Sequence, residues 1–240
     1  MRTLLCALTL GAVAAAGAAE PKPKKISDKD RQAMIDALEP FNALISEWRA
    51  NGFVPGTDRN KTGWEESSIW VWSLKGEVAV KFAAKGAKVL SKGTLTYDLA
   101  EDKYVLKAVR ADNQEVTYTG EFEDDKKRKF ILTAELPSTK EIEKITINIK
   151  DEISTLTIVD RNKPGRDPKA VAEIVGVKKG AKISGSTESG PKCVVTGGPG
   201  TSSVSHGGKS YYVCCTGCRD AFNEDPTKWI AAAKKKGYIE

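Results

Sequence analysis

Histidine is almost missing from these 240 residues, with His206 the single one. A metal site built from several imidazoles is thereby excluded, and any His-dependent general base would have to be this residue. No constellation of catalytic residues gathers around it in the sequence, so no enzymatic activity is expected. Aromatic residues are also sparse, at 7%. Nor does charge lean far to one sign: 38 Lys and Arg face 32 Asp and Glu, a formal net charge of +6. Spread through alternating signs, that balance is too mild for a nucleic-acid groove, and no nucleic-acid partner is expected. The phosphate-loop imitation Gly207-Gly208-Lys209-Ser210 fails because its first glycine would fall at Ser203. The paired carboxylates Glu65/Glu66 and Asp124/Asp125 sit at expected turns and exposed strand ends, where solvation is their job.

What is present begins with a leader. Met1 and Arg2 precede an apolar run from Leu4 to Leu10 and a small-residue tail through Ala19, the pattern of a signal peptide spanning residues 1–19. Its removal would take away Cys6 and leave four cysteines, in a protein expected to be periplasmic or secreted and to have no integral membrane segment. Residues 20–26 are a Pro/Lys tether. Ser27 and Asp30 then resemble a capping pair. Met34, Leu38, Phe41, Ile45 and Trp48 follow at gaps of 4, 3, 4 and 3, a helical stripe interrupted at Pro40.

From Trp64 to Asp160 the period falls to two. Val78, Val80 and Phe82 alternate with Glu77, Ala79 and Lys81, and Ile145, Ile147 and Ile149 with Lys144, Thr146 and Asn148. Turn-forming separators such as Asp98–Asp102, Asp112-Asn113 and Asp124-Asp125 divide the stretch into about eight short strands with no helix between them. The expected fold is mainly β: an antiparallel up-and-down barrel, or a strongly curved meander, preceded by the helix. The helix, the strand count and Trp48 ahead of Gly52 resemble the lipocalin-like (calycin) barrels over residues 40–160. That resemblance implies a small apolar ligand in the barrel, against the plainer expectation that Trp70, Trp72, Phe82, Tyr97, Tyr104 and Phe130 fill the interior. The barrel domain is placed at 27–162. Residues 163–190 have the composition of a connector, with one short strand around Ala172–Val177. A small cysteine-rich α+β hairpin-helix unit is expected at 191–240.

All four remaining cysteines fall between Cys193 and Cys218, as Cys193-x20-Cys214-Cys215-x2-Cys218. Thiolates at such spacing suit a soft or borderline metal, Zn(II) or Cu(I). Lys209–Cys214 reads as a strand and Thr216–Asn223 as a helix start, which would send adjacent Cys214 and Cys215 to opposite sides if the strand ran through both. Asp225-Pro226 reads as the cap and first residue of a last helix packing through Trp229, Ile230 and Tyr238. In oxidising surroundings the same cysteines allow disulfides from Cys193 to Cys214 or Cys218, or exchange chemistry, and the spacing leaves these open.

Cys193-Val-Val-Thr-Gly197, then Gly208-Lys-Ser-Tyr-Tyr-Val-Cys-Cys-Thr-Gly-Cys218, Ala221-Phe222 and Asp225-Pro226 resemble the TRASH/YHS family of small metal-binding domains over residues 191–232. The resemblance implies heavy-metal binding at Cys193, Cys214 and Cys218. Cys215 stands where many relatives have Ser and is an additional candidate, since Cys215-x2-Cys218 is itself a metal knuckle. His206 is read as a turn residue rather than a ligand. The function expected is binding of a metal ion for trafficking, sensing or sequestration. The alternative is a carrier of a small apolar ligand whose cysteine unit is structural.

Overall fold

The computed structural model describes residues 26–151, 153–163, 165–181 and 190–240. The expected leader with Cys6, nearly all of the tether, and residues 182–189 of the expected connector lie outside the described residues.

Helix α1 (Asp28–Leu38) starts where the sequence places it: the Ser27 hydroxyl accepts the Asp30 amide at 3.1 Å. Pro40 cannot donate into an α-helical ladder, and residues Glu39–Leu44 continue as a 3-10 turn. The helical stripe overran this stop. Strand β1 (Ser46–Phe53) already includes Trp48, whose side chain points into the barrel and so mimics one more helical step. A one-turn helix, α2 (Arg59–Thr62), joins it to β2 (Trp64–Ser73).

Eight further strands follow: β3 (Ala79–Lys85), β4 (Leu90–Asp98), β5 (Lys103–Arg110), β6 (Glu115–Phe122), β7 (Lys129–Glu135), β8 (Ile142–Ile149), β9 (Ser154–Asn162) and β10 (Lys169–Lys178). Each pairs antiparallel with its neighbours in sequence, and β10 returns to β1 to close a ten-stranded up-and-down barrel. The expected architecture is thus present, with two strands more than the period-two pattern suggested. Tight turns are built at the expected separators, where Asp102, Asn113 and Lys127 take φ of 50°, 65° and 52°. Strand β10 occupies ten residues of the stretch whose composition suggested a connector. Its pairing with both β9 and β1 removes the two edges that a nine-stranded sheet would expose.

One end of the barrel is filled. Phe41, just after α1, meets Tyr104 and Phe130 edge-on, with ring centroids 5.4 and 4.8 Å apart. The Tyr104 hydroxyl donates to the Ala37 carbonyl at 2.8 Å, tying β5 to α1. Toward the other end lies a buried polar network. Glu143 accepts from the Arg110 guanidinium and the Tyr118 hydroxyl on one oxygen, and from Arg161 Nε at 2.7 Å on the other. Full pairing is what makes a wholly buried carboxylate tolerable there.

The C-terminal unit consists of a hairpin, β11 (Ser202–His206) and β12 (Lys209–Val213), and helices α3 (Thr216–Glu224) and α4 (Pro226–Lys235). Asp225 caps α4 by accepting the Lys228 amide at 3.0 Å, and Trp229 is buried, as the sequence indicated. Helix α3 rests on β2. A Cβ at Gly217 would stand 1.8 Å from the Trp72 carbonyl oxygen, so only glycine permits this approach. Asn42 adds a second attachment, donating to the Thr196 carbonyl at 2.7 Å and accepting Trp72 Nε1 at 3.0 Å. Among the described residues no helix is long and apolar enough to cross a membrane.

Candidate metal centre and barrel cavity

The cysteines arrive from three local structures. Cys193 opens a tight turn in which the Gly197 amide donates back to the Cys193 carbonyl at 2.9 Å. The Val194 amide then bonds the Tyr212 carbonyl at 2.8 Å, fastening that turn beside β12. Cys214 follows the last residue of β12. Cys215 is the extended N-cap of α3, at φ −160° and ψ 175°, and Cys218 lies in the first helical turn. Because β12 stops at Val213, the strand alternation expected to separate Cys214 from Cys215 does not apply. Their sulfurs are 3.9 Å apart.

Cys193, Cys214 and Cys218 converge, with sulfurs all within 4.8 Å of one another, and Cys214 and Cys218 are 3.4 Å apart. Thiolates held 2.3 Å from a tetrahedral zinc ion stand about 3.8 Å apart, so these separations lie around the value a metal imposes. The cysteines are free thiols. Cys193 and Cys218 are fully buried and Cys214 is 7% exposed. Hydrogen bonds from the Cys214 and Cys218 thiols, then from Thr196, hold Cys193 well below the ordinary thiol range. Cys215 is lowered by Cys214 and Cys218, and by backbone bonds that include the Trp72 amide at 3.4 Å. Cys214 is raised by its bonds to Cys193 and Cys215, and Cys218 first of all by burial. Four sulfurs that must share protons in a buried space, with amides directed at two of them, form a donor set that fits a soft divalent or monovalent cation.

His206 is not part of this cluster. It is exposed beside the hairpin turn, its ring 6.5 Å from that of Phe222. Sequence reasoning missed the barrel's share in the site. Asn42 gave a faint signal as a polar residue inside an apolar helical turn, but the Trp72 amide is backbone and leaves no trace in the sequence.

The barrel itself is only partly filled. A cavity of about 110 Å³ runs from its middle toward the end opposite α1, lined by Trp48, Trp70, Phe82, Leu106, Ile145 and Ile174 among others. Trp70 and Phe82 stack at 4.5 Å along one wall. The polar side chains on the lining are Glu66, Ser68, Thr155 and Thr157. The aromatic residues therefore divide their roles: Tyr104 and Phe130 fill one end, and Trp70 and Phe82 border open space.

No family model matches the chain, and no curated protein matches it. Among solved structures it is similar to an S-type phycobiliprotein lyase from Guillardia theta, at 9% identity and a TM-score of 0.40, over 66% of this chain and 100% of that chain. The matched protein is by its name an enzyme, and the expectation of a chain without enzymatic activity is withdrawn. That expectation rested on the lack of a catalytic constellation around His206, which excludes His-dependent mechanisms and no others. The likeness assigns neither reaction nor substrate to this chain.

Proposed function

We propose that the protein is an exported carrier whose barrel holds a small apolar molecule and whose C-terminal unit, of the TRASH/YHS type, is a structural zinc site. The observation that carries this reading is the cavity: about 110 Å³ bounded by aromatic and aliphatic side chains inside a closed barrel. A cavity of that order, walled mostly by aromatic and aliphatic side chains, accepts a single ring or a short hydrocarbon segment.

Burial decides the role given to the cysteines. A metal handed to a partner must be reachable, whereas Cys193 and Cys218 are fully covered. Closed four-thiolate sites of this kind hold a zone of the chain together. Trafficking or sensing, the expectation from the sequence, fits this covered site less well. Cys193, Cys214 and Cys218 would hold the ion, with Cys215 as the fourth ligand.

Titration with ethylbenzene, followed by calorimetry or by the rise in thermal midpoint, tests the carrier reading. Saturable binding to the native protein is expected. It should be lost in Ile174→Phe, which fills the chamber from β10, while the content of one zinc ion per chain in native mass spectra is kept. An equal response of the two proteins would refute the assignment of the chamber.

A further inference from the structure

The chamber contains one side chain that its apolar walls do not explain. Glu66 is the single ionisable group among the described lining residues. It sits on the inward face of β2 between Trp64 and Ser68, opposite Ala50 of β1, which is in turn opposite Gly176 of β10. Ala84 of β3 completes a ring of small neighbours on the lining. Space is thereby left open around the carboxylate instead of being packed against it.

Its hydrogen bonding is incomplete. Oε2 accepts Trp64 Nε1 at 2.7 Å, and that is the one side-chain hydrogen bond Glu66 makes among the described residues. Trp64 is itself held flat against the chain, since a Cβ at Gly52 would come within 2.1 Å of its indole ring. The carboxylate is thus oriented by a fixed donor, with its second oxygen reachable from the open space of the chamber. The contrast with Glu143 is direct: that carboxylate has two arginines and a tyrosine, whereas Glu66 faces no cationic side chain on the lining. Burial of Glu66 raises its pKa, which is the same shortage of partners seen as a proton affinity.

Resting on the reading of the cavity as a ligand chamber, we propose that the ligand is an apolar amine. Its nitrogen donates to the second oxygen of Glu66, and its ring or short alkyl body lies among Trp48, Trp70, Phe82 and Leu106. A carboxylic acid of the same size would bring like charge to Glu66 and be rejected.

Three probes of one shape test this: phenethylamine, ethylbenzene and 3-phenylpropanoate, each titrated by calorimetry into the native protein and into Glu66→Gln. The native protein should bind the amine at least about tenfold more tightly than ethylbenzene, and the acid more weakly than either. Glu66→Gln should erase the preference for the amine while keeping affinity for ethylbenzene, which also shows that the variant is folded. Equal binding of amine and ethylbenzene by the native protein, or an amine preference that survives in Glu66→Gln, would overturn amine recognition and leave the carrier reading intact. Failure of all three probes to bind would overturn both.

Discussion

Glu66 and Glu143 are both carboxylates facing inward, and their surroundings separate them. Glu143 is neutralised by Arg110 and Arg161 and makes no demand on a ligand. Glu66 has a single indole N–H and a raised pKa, which ties stability to pH. Unfolded, the group titrates near its ordinary value of 4.5, and folded it holds its proton to higher pH. Its favourable contribution is therefore complete below about pH 4.5 and lost as pH rises through the folded value. Without ligand, Glu66→Gln should melt higher than the native protein near neutral pH, and the difference should vanish below about pH 4.5. Thermal melts across that range check it, and a difference independent of pH would assign the effect to something other than ionisation.

At the level of elements, the junction between β2 and α3 decides how the cysteine unit is held. Gly217→Ala would drive a methyl group into the Trp72 carbonyl, which belongs to a paired strand and cannot retreat. A loss of about 1–3 kcal/mol is expected. It should come with weaker zinc retention in a chelator competition, because the Trp72 amide would leave Cys215. Elements with a regular pattern were legible in the sequence: the strands from β3 to β9, the Ser27 cap, the Asp225-Pro226 start of α4 and the cysteine spacing. Those defined by distant partners were not. Trp48 fits a helical gap and an inward strand position equally well, and only the pairing of β1 with β2 and β10 decides between them. Strand β10 is legible in part, as the short strand expected around Ala172–Val177, but its full length and its place in the barrel come from the two edges it joins. Glu66 reads in the sequence as a solvated turn residue paired with Glu65, yet alternation along β2 turns one outward and the other in.

Over the whole molecule, the cysteine cluster, the filled end and the last helix stand together at one side of the barrel, and the chamber extends toward the other. On the proposed zinc reading, chelation should therefore loosen the cysteine unit without emptying the chamber. Hydrogen exchange after chelation should rise over residues 193–224 and stay low in β5 to β9, with ethylbenzene binding retained. Loss of protection throughout the barrel would show that the metal supports the entire fold. Deletions meant to separate the two parts must keep Lys169–Lys178, since a chain ending earlier exposes the edges of β1 and β9.

The first and last helices also touch. Lys228 pairs with Asp28 at 3.3 Å, Lys236 pairs with Asp36, and the Tyr238 hydroxyl donates to Glu39 at 3.3 Å. These contacts join positions about two hundred residues apart, and β1 must likewise wait for β10. On a ribosome, then, the chain has to hold a half-built sheet with open edges until Lys178 has emerged, and the partners of the first helix follow some fifty to sixty residues later still.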